Sequence, residues 1–227
     1  NGTSWTRQGM SAAVTAGQNN QFVFTTALDN IIATNNVNAP IQWTGATASN
    51  VTTVDFSSLT ASSRPTTAKT VAFFKNYLLF GNTTENSVTR STRLRWSNVG
   101  TINTWTDADF VDIGALAGQE INAMAELYDN LYIFLTDSIY KVSLVGGVDT
   151  FQISKVTDDI GAIAKNSVQS ITLSNAQNGL IFLDKDKKIY FFNGVIAQDI
   201  SQLLTVTMAA LSGSRLQYAV SADSNTD

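Results

Sequence analysis

A loose internal repeat of about fifty residues constrains the fold of this chain more than any other feature. Each copy has a polar turn followed by an apolar run: Leu28-Asp29-Asn30-Ile31-Ile32, Lys75-Asn76-Tyr77-Leu78-Leu79, Tyr128-Asp129-Asn130-Leu131-Tyr132-Ile133-Phe134 and, more weakly, Gln177-Asn178-Gly179-Leu180-Ile181-Phe182. The Asn residues of these turns are 46, 54 and 48 residues apart. A period of this length, in segments patterned as strands, is typical of a β-propeller or a related radial β array.

Each repeat contains four short segments rich in β-branched and aromatic residues, separated by Asn, Asp and Gly turns. The sequence therefore predicts an all-β fold, a β-propeller-like array of four-stranded blades with four full blades and partial blades at both ends. The predicted strands are 22–24, 31–33, 41–43 and 54–56; 70–74, 77–80, 93–96 and the stretch around Trp105; 121–125, 131–134, 139–142 and 151–153; and 168–171, 180–183, 189–192 and the stretch near Ile196.

Only the region near 201–211 departs from the strand pattern, because its apolar residues follow helical spacing. We predict one short helix there, with Ser201 as its cap and Gly213 at its end. Ser4-Trp5-Thr6 resembles an outer strand and 215–222 an inner strand, each without the rest of its blade. We interpret residues 1–227 as a single propeller domain that belongs to a longer chain, in which the two half blades either pair with each other or are completed elsewhere.

Composition narrows the classes of function. Charged residues make up 14% of the chain, against about 25% in an ordinary soluble domain. The net charge is −4, with 14 basic residues and no basic stripe, so specific nucleic-acid binding is not expected. There is no His and no Cys, which removes the commonest general base and the commonest metal ligands. No apolar run is long enough to predict a membrane span.

Acidic residues are the remaining candidates for chemistry, since glycoside hydrolysis needs two opposed carboxylates. The candidates are Asp107, Asp109, Asp112, Glu120 and the pair Asp158-Asp159. All lie in predicted loops, where acidic residues commonly form turns. Asp184-Lys185-Asp186 has the outline of a calcium loop, but Lys187 and Lys188 follow it and favour a hairpin tip. We predict no catalytic, metal-binding or cofactor-binding residues and no enzymatic activity.

Two further patterns have a structural and a functional interpretation. Ser97-Asn98-Val99-Gly100 followed by Trp105 resembles the Asp-box turn of sialidase-like propellers, with Val99 where that turn has Asp; we interpret it as a blade turn. The four tryptophans, Trp5, Trp43, Trp96 and Trp105, are compatible with carbohydrate binding. Because they occupy equivalent positions in the repeats, we predict that they belong to the core.

The order of several longer motifs resembles the propeller domain of short-tailed phage tail proteins, a group that includes tail nozzle (tubular) and tail stabilisation proteins. The motifs are 93–97 with Thr104-Trp105, 118–124, 131–140, 160–162 with Ser167-Val168, and Asn193-Gly194, preceded by 35–45 and 67–82. The resemblance covers residues 20–200, and it departs at Asp186-Lys187-Lys188, where the family has a Gly-containing turn.

The resemblance implies a non-enzymatic virion protein that assembles with copies of itself into a ring, a hexamer in that family. The ring would contact neighbouring tail or adaptor proteins, and phage DNA would pass through its lumen during ejection without sequence-specific binding. The expected location is the phage tail. The alternative from another class is a glycan-binding or adhesion β-propeller, either lectin-like or a degenerate glycoside hydrolase.

Overall fold

A computed structural model describes residues 9–10, 14–15, 17, 19–46, 49–114, 118–147, 149–173 and 176–222. Strands account for 51% of the structure and form four antiparallel sheets of four strands each. The first sheet contains β1 (Val23–Ala27), β2 (Asn30–Thr34), β3 (Ile41–Trp43) and β4 (Thr52–Thr53). The second contains β5 (Pro65–Phe74), β6 (Tyr77–Glu85), β7 (Val88–Ser97) and β8 (Trp105–Asp112).

The third sheet contains β9 (Ile121–Leu127), β10 (Asn130–Leu135), β11 (Ser138–Leu144) and β12 (Phe151–Asp158). The fourth contains β13 (Gln169–Thr172), β14 (Asn178–Leu183), β15 (Ile189–Phe192) and β16 (Ala197–Asp199). In every sheet the spatial order of the strands follows their order in the chain. The predicted fold class, a β-propeller-like array of four-stranded blades with one short helix, is confirmed.

The repeated polar turn joins the first two strands of each sheet. In the first two sheets both turn residues are left-handed, with φ of 46° and 61° at Leu28 and Asp29, and 50° and 64° at Lys75 and Asn76. Two consecutive positive φ values define a type I′ turn, whose twist matches that of the flanking strands. The second strands begin at Asn30, Tyr77, Asn130 and Asn178. The sequence repeat aligned Asn76 with Asn30, Asn130 and Asn178, which begin their strands. Asn76 instead lies in the turn, one residue before β6 begins.

The chain forms two compact units. One comprises Asn1–Thr89 and Arg95–Phe110, and the other comprises Arg90–Leu94 and Val111–Asp227. That residues 1–227 form a single domain stays a prediction. The core of the first unit includes Ile32, Leu78, Phe80 and Trp105, with the rings of Phe80 and Trp105 stacked at 5.7 Å between centroids.

The core of the second unit contains Phe134, Phe182 and Phe192. The rings of Phe134 and Phe182 lie 5.0 Å apart. Asn122 is fully buried beside this core and donates from Nδ2 to the carbonyl of Ala162 at 2.8 Å. This hydrogen bond connects segments 118–124 and 160–162, two of the motifs noted in the sequence.

The outer strand predicted at 54–56 is wrong by two residues, because β4 is Thr52–Thr53. Val54 and Phe56 are buried instead, and the Val54 amide donates to the carbonyl of Pro40 at 2.9 Å. Their apolar side chains leave the sheet edge and enter the core of the first unit, where burial is more favourable.

The C-terminal region follows the predicted helix only in part. A 3₁₀ turn, Gln202–Leu204, leads into α1 (Thr205–Ala209), which ends before Gly213. Ser201 does not cap this turn, because its hydroxyl donates to Asp199 Oδ1 at 2.6 Å.

The inner strand predicted over 215–222 is wrong. Gly213–Tyr218 forms a 3₁₀ helix that buries Leu216, and Val220 makes an isolated bridge with Asn166. A strand would place Leu216, Tyr218 and Val220 on one buried face. Leu216 is buried, but Val220 is exposed. The outer strand predicted at Ser4-Trp5-Thr6 lies outside the described residues. Within the described part of the chain, every helix is too short or too polar to cross a membrane.

Candidate functional site

Asp107, Asp109, Asp112 and Asp158 lie in strands β8 and β12 and not in the loops that the sequence predicted. Asp107 Oδ1 accepts from the backbone N–H of Thr60 at 3.0 Å, and this hydrogen bond is the main cause that lowers the pKa of Asp107. Asp109 lies two residues further along β8, and partial burial raises its pKa. Asp112 accepts two hydrogen bonds from the Arg93 guanidinium, both at 2.8 Å. Such contacts fix loops and strand ends, as expected for structural carboxylates.

The remaining acidic candidates lie in unit two. Asp158 pairs with Lys155 at 2.6 Å on the exposed end of β12. Asp159 follows in a left-handed turn with φ of 64°, and Glu120 is half-buried before β9. Among the described residues, no group of three or more His, Cys, Asp or Glu could hold a metal ion.

Asp184 forms the base of the hairpin tip between β14 and β15. Its Oδ1 accepts from the backbone N–H of Asp186 at 2.8 Å, and burial raises its pKa. Lys187 Nζ donates to the carbonyl of Ala209 at 2.9 Å. The predicted hairpin tip is therefore correct, and its lysine bonds to the end of α1.

The turn that begins at Ser97 has a buried first residue, whereas Val99 at its tip is exposed. Ser97 Oγ accepts from the backbone N–H of Leu78 at 3.0 Å and donates to the carbonyl of Thr101 at 2.8 Å. The amide of Trp105 donates to Ser58 Oγ at 2.8 Å. These bonds connect the turn to β6 and to the segment between β4 and β5, in agreement with its interpretation as a blade turn.

A buried ion pair between Glu85 and Arg95 was not predicted from the sequence. Arg95 Nε lies 3.0 Å from Glu85 Oε1, and the side chains are 1% and 3% exposed. Thr83 donates to the same carboxylate oxygen at 2.8 Å, and the guanidinium lies 5.1 Å from the centroid of the Phe110 ring. Buried charges need such complete pairing, and here the pair links β6, β7 and β8.

A polar cleft of about 650 Å³ lies on unit one. It is formed by the first turn of the first blade, the edge of β3, residues 44 and 49–50 before β4, and the turn before β8. Its lining consists of Leu28, Asn30, Gln42, Trp43, Thr44, Ser49, Asn50, Thr52, Thr101, Ile102, Asn103 and Thr104.

The position of Trp43 in this cleft corrects its assignment to the core. The side chain is half-buried, and its indole N–H donates to the carbonyl of Ala46 at 3.2 Å. Trp96 is also half-buried, whereas Trp105 is 3% exposed. Trp5 lies outside the described residues. Equivalent positions in the repeat therefore do not imply equal burial, because β3 and β4 of the first blade are much shorter than β7 and β8 of the second.

These features define the class of the protein as a β-propeller-like array of four-stranded blades, a fold that hosts many functions. No protein-family model matches the chain, and a comparison with curated proteins finds no significant relative.

Proposed function

We propose that this chain is a non-enzymatic structural component of a short-tailed phage tail. In this proposal it forms a nozzle-like ring with copies of itself and with neighbouring tail proteins, around the conduit for DNA ejection. The motif order in the sequence supports the proposal. The structural observation that carries it is an exposed apolar segment at residues 195–211.

The apolar segment leaves its large side chains in solvent. Leu203 is 99% exposed and Val206 87% exposed, and α1 buries none of its residues. The other exposed apolar side chains of the segment are Val195, Ile196, Ile200, Leu204 and Leu211. Large exposed apolar patches often mark sites of association in soluble proteins, and the concentration of exposed apolar side chains in this one segment makes it the candidate for such a site. Contact with a neighbouring copy would remove these side chains from water.

Charge is also compatible with a conduit. The chain carries 18 acidic and 14 basic residues, and Arg93 and Arg95 are each paired with a carboxylate. Phosphate binding depends on accessible Lys and Arg side chains. A surface with few of them lets DNA pass without being held.

The test compares the full-length protein with variants of the apolar segment. Leu203→Glu and Val206→Glu place a charge in the proposed contact, whereas Val99→Glu places the same charge on an exposed turn. We expect the first two to shift the protein towards monomer in analytical ultracentrifugation and the third to leave assembly unchanged. All three should keep the wild-type melting temperature, because each side chain is exposed.

Electron microscopy of the native particle supplies the second readout. The proposal requires a symmetric ring in which residues 195–211 contact a neighbouring subunit or another tail protein. A monomeric full-length protein without any tail neighbour would remove the proposed function.

A further inference from the structure

The cleft on unit one has the size and chemistry of a ligand site, which is independent of assembly through the apolar segment. Small-molecule sites have volumes of about 300–1,000 Å³, and this cleft has about 650 Å³. Its lining residues are amides, hydroxyl groups, one indole and two aliphatic side chains, with no ionisable group among them. A ligand that complements this surface is therefore polar and uncharged.

Several polar groups in the lining are available for a ligand. Asn50 makes no side-chain hydrogen bond in the described part of the chain, and Asn103 uses only its Oδ1, which accepts from the Asp55 amide at 3.0 Å. The Asn103 amide nitrogen, which has no partner among the described residues, is a donor. Asn50 Oδ1 packs against Gly9, so Asn50 offers its amide nitrogen as a second donor. Such groups match the hydroxyls of a sugar.

Gln42 adds an acceptor with no partner. Its Nε2 donates to the carbonyl of Thr53 at 3.3 Å, while its Oε1 is buried without a hydrogen-bond partner among the described residues. An unsatisfied buried acceptor costs about 1–3 kcal/mol. A hydroxyl that reached Oε1 through a small displacement of the lining would satisfy it.

Trp43 supplies the aromatic surface. Its hydrogen bond to Ala46 fixes the indole, so little conformational freedom is lost when a ligand packs against it. An indole has an apolar ring face and a polar edge, which suits a sugar with C–H groups on one face and hydroxyls at its rim. The amides of Asn30, Asn50 and Asn103 lie in the same lining.

We infer that the cleft around Trp43 binds a neutral oligosaccharide. Lys and Arg, the side chains that would recognise a carboxylate, sulfate or phosphate, do not occur among the described residues that line the cleft. The site therefore discriminates against anionic glycans.

The experiment titrates the full-length protein with two panels of trisaccharides. One is neutral, built from glucose, galactose, mannose or N-acetylglucosamine, and the other is sialylated or sulfated. We expect a neutral trisaccharide to bind, as measured by calorimetry and saturation-transfer NMR, and the anionic panel to bind more weakly. Absence of binding by every neutral member at millimolar concentrations, or a preference for anionic members, overturns the proposal.

Variants then locate the site. Trp43→Ala should weaken binding about tenfold, as expected from the loss of one aromatic contact, and Trp43→Phe should recover part of it. Asn50→Ala should also weaken binding, and it removes no hydrogen bond that the described residues make. Phe24→Ala removes an aromatic side chain that is 65% exposed outside the cleft and should leave affinity unchanged.

A further variant separates this inference from the proposed function. Leu203→Glu should impair assembly and leave saccharide affinity unchanged, because Leu203 is not part of the cleft. Saccharide binding that survives both Trp43→Ala and Asn50→Ala would place the site elsewhere and contradict the inference.

Discussion

At the scale of single residues, the two tryptophans of the second blade differ in burial. Trp105 is 3% exposed and contacts the rings of both Phe56 and Phe80, whereas Trp96 is half-buried. Most of each side chain is buried, as predicted, but only Trp105 lies fully within the core. Burial depends on which strand ends cover the side chain, and the repeat does not specify this.

We expect Trp105→Ala to lower the free energy of unfolding by about 3–5 kcal/mol, because it leaves a cavity in the core of unit one. Trp96→Ala should cost less, since part of this side chain already contacts water. Urea denaturation followed by circular dichroism measures both values. Equal losses for the two variants would contradict this assignment of burial.

Asp184 links stability to pH. Burial raises the pKa of its carboxyl above the ordinary value of 3.8, so the folded protein keeps this proton at pH values where the unfolded chain has lost it. The folded state then binds more protons, and stability falls as pH rises from 3.8 through the raised pKa. The negative charge is thus unfavourable for folding at neutral pH.

Asp184→Asn should therefore be stabilised relative to the wild type at about pH 7, with the difference shrinking towards about pH 3. The amide keeps an oxygen that accepts from Asp186, so this turn survives. Melting temperatures measured across this pH range test the prediction. A wild type that gains stability relative to Asp184→Asn as pH rises would contradict it.

At the scale of elements, Gly161 determines how the chain leaves β12 and passes the β10–β11 hairpin. A Cβ at this position would lie 2.1 Å from the carbonyl oxygen of Leu135 and 2.7 Å from the backbone nitrogen of Asp137. Both neighbours are backbone atoms, which cannot move aside as a flexible side chain can. Only glycine fits here without displacing the hairpin.

Gly161→Ala should reduce the melting temperature and the yield of folded protein strongly. Gly213→Ala is the matched control, because a Cβ there meets nothing within 4 Å and surface changes of this type stay within about 0.5 kcal/mol. Thermal denaturation measures the melting temperatures of the two variants and of the wild type. If both melt like the wild type, the close approach at Gly161 is not a constraint.

The elements were predictable where their signals were local. The runs at 131–134, 180–183 and 189–192 combine apolar residues with adjacent turns, and each lies within β10, β14 or β15. The outer strand of the first blade was misplaced because Val54 and Phe56 pack into a core formed by distant residues. The cleft could not be predicted for the same reason, since Trp43 and Asn103 come together only through packing of the first two sheets.

At the scale of the whole molecule, the prediction concerns catalysis. Without His and Cys, and with Asp107 and Asp112 engaged in local hydrogen bonds, we expect no hydrolysis of glycosides or peptides. A screen of the full-length protein with reporter glycosides and oligosaccharides measures this. Turnover that disappeared on changing Asp107, Asp109, Asp112 or Glu120 to the corresponding amide would overturn the prediction.

The strand order within each sheet also has a kinetic consequence. Every strand pairs with the strand next to it in sequence. Only short loops have to close when these ladders form, so little chain entropy is lost. Topologies with such low contact order fold faster than those that pair distant strands. During synthesis, which proceeds at about 5–20 residues per second, each blade can form its own ladder before the ribosome has released the next.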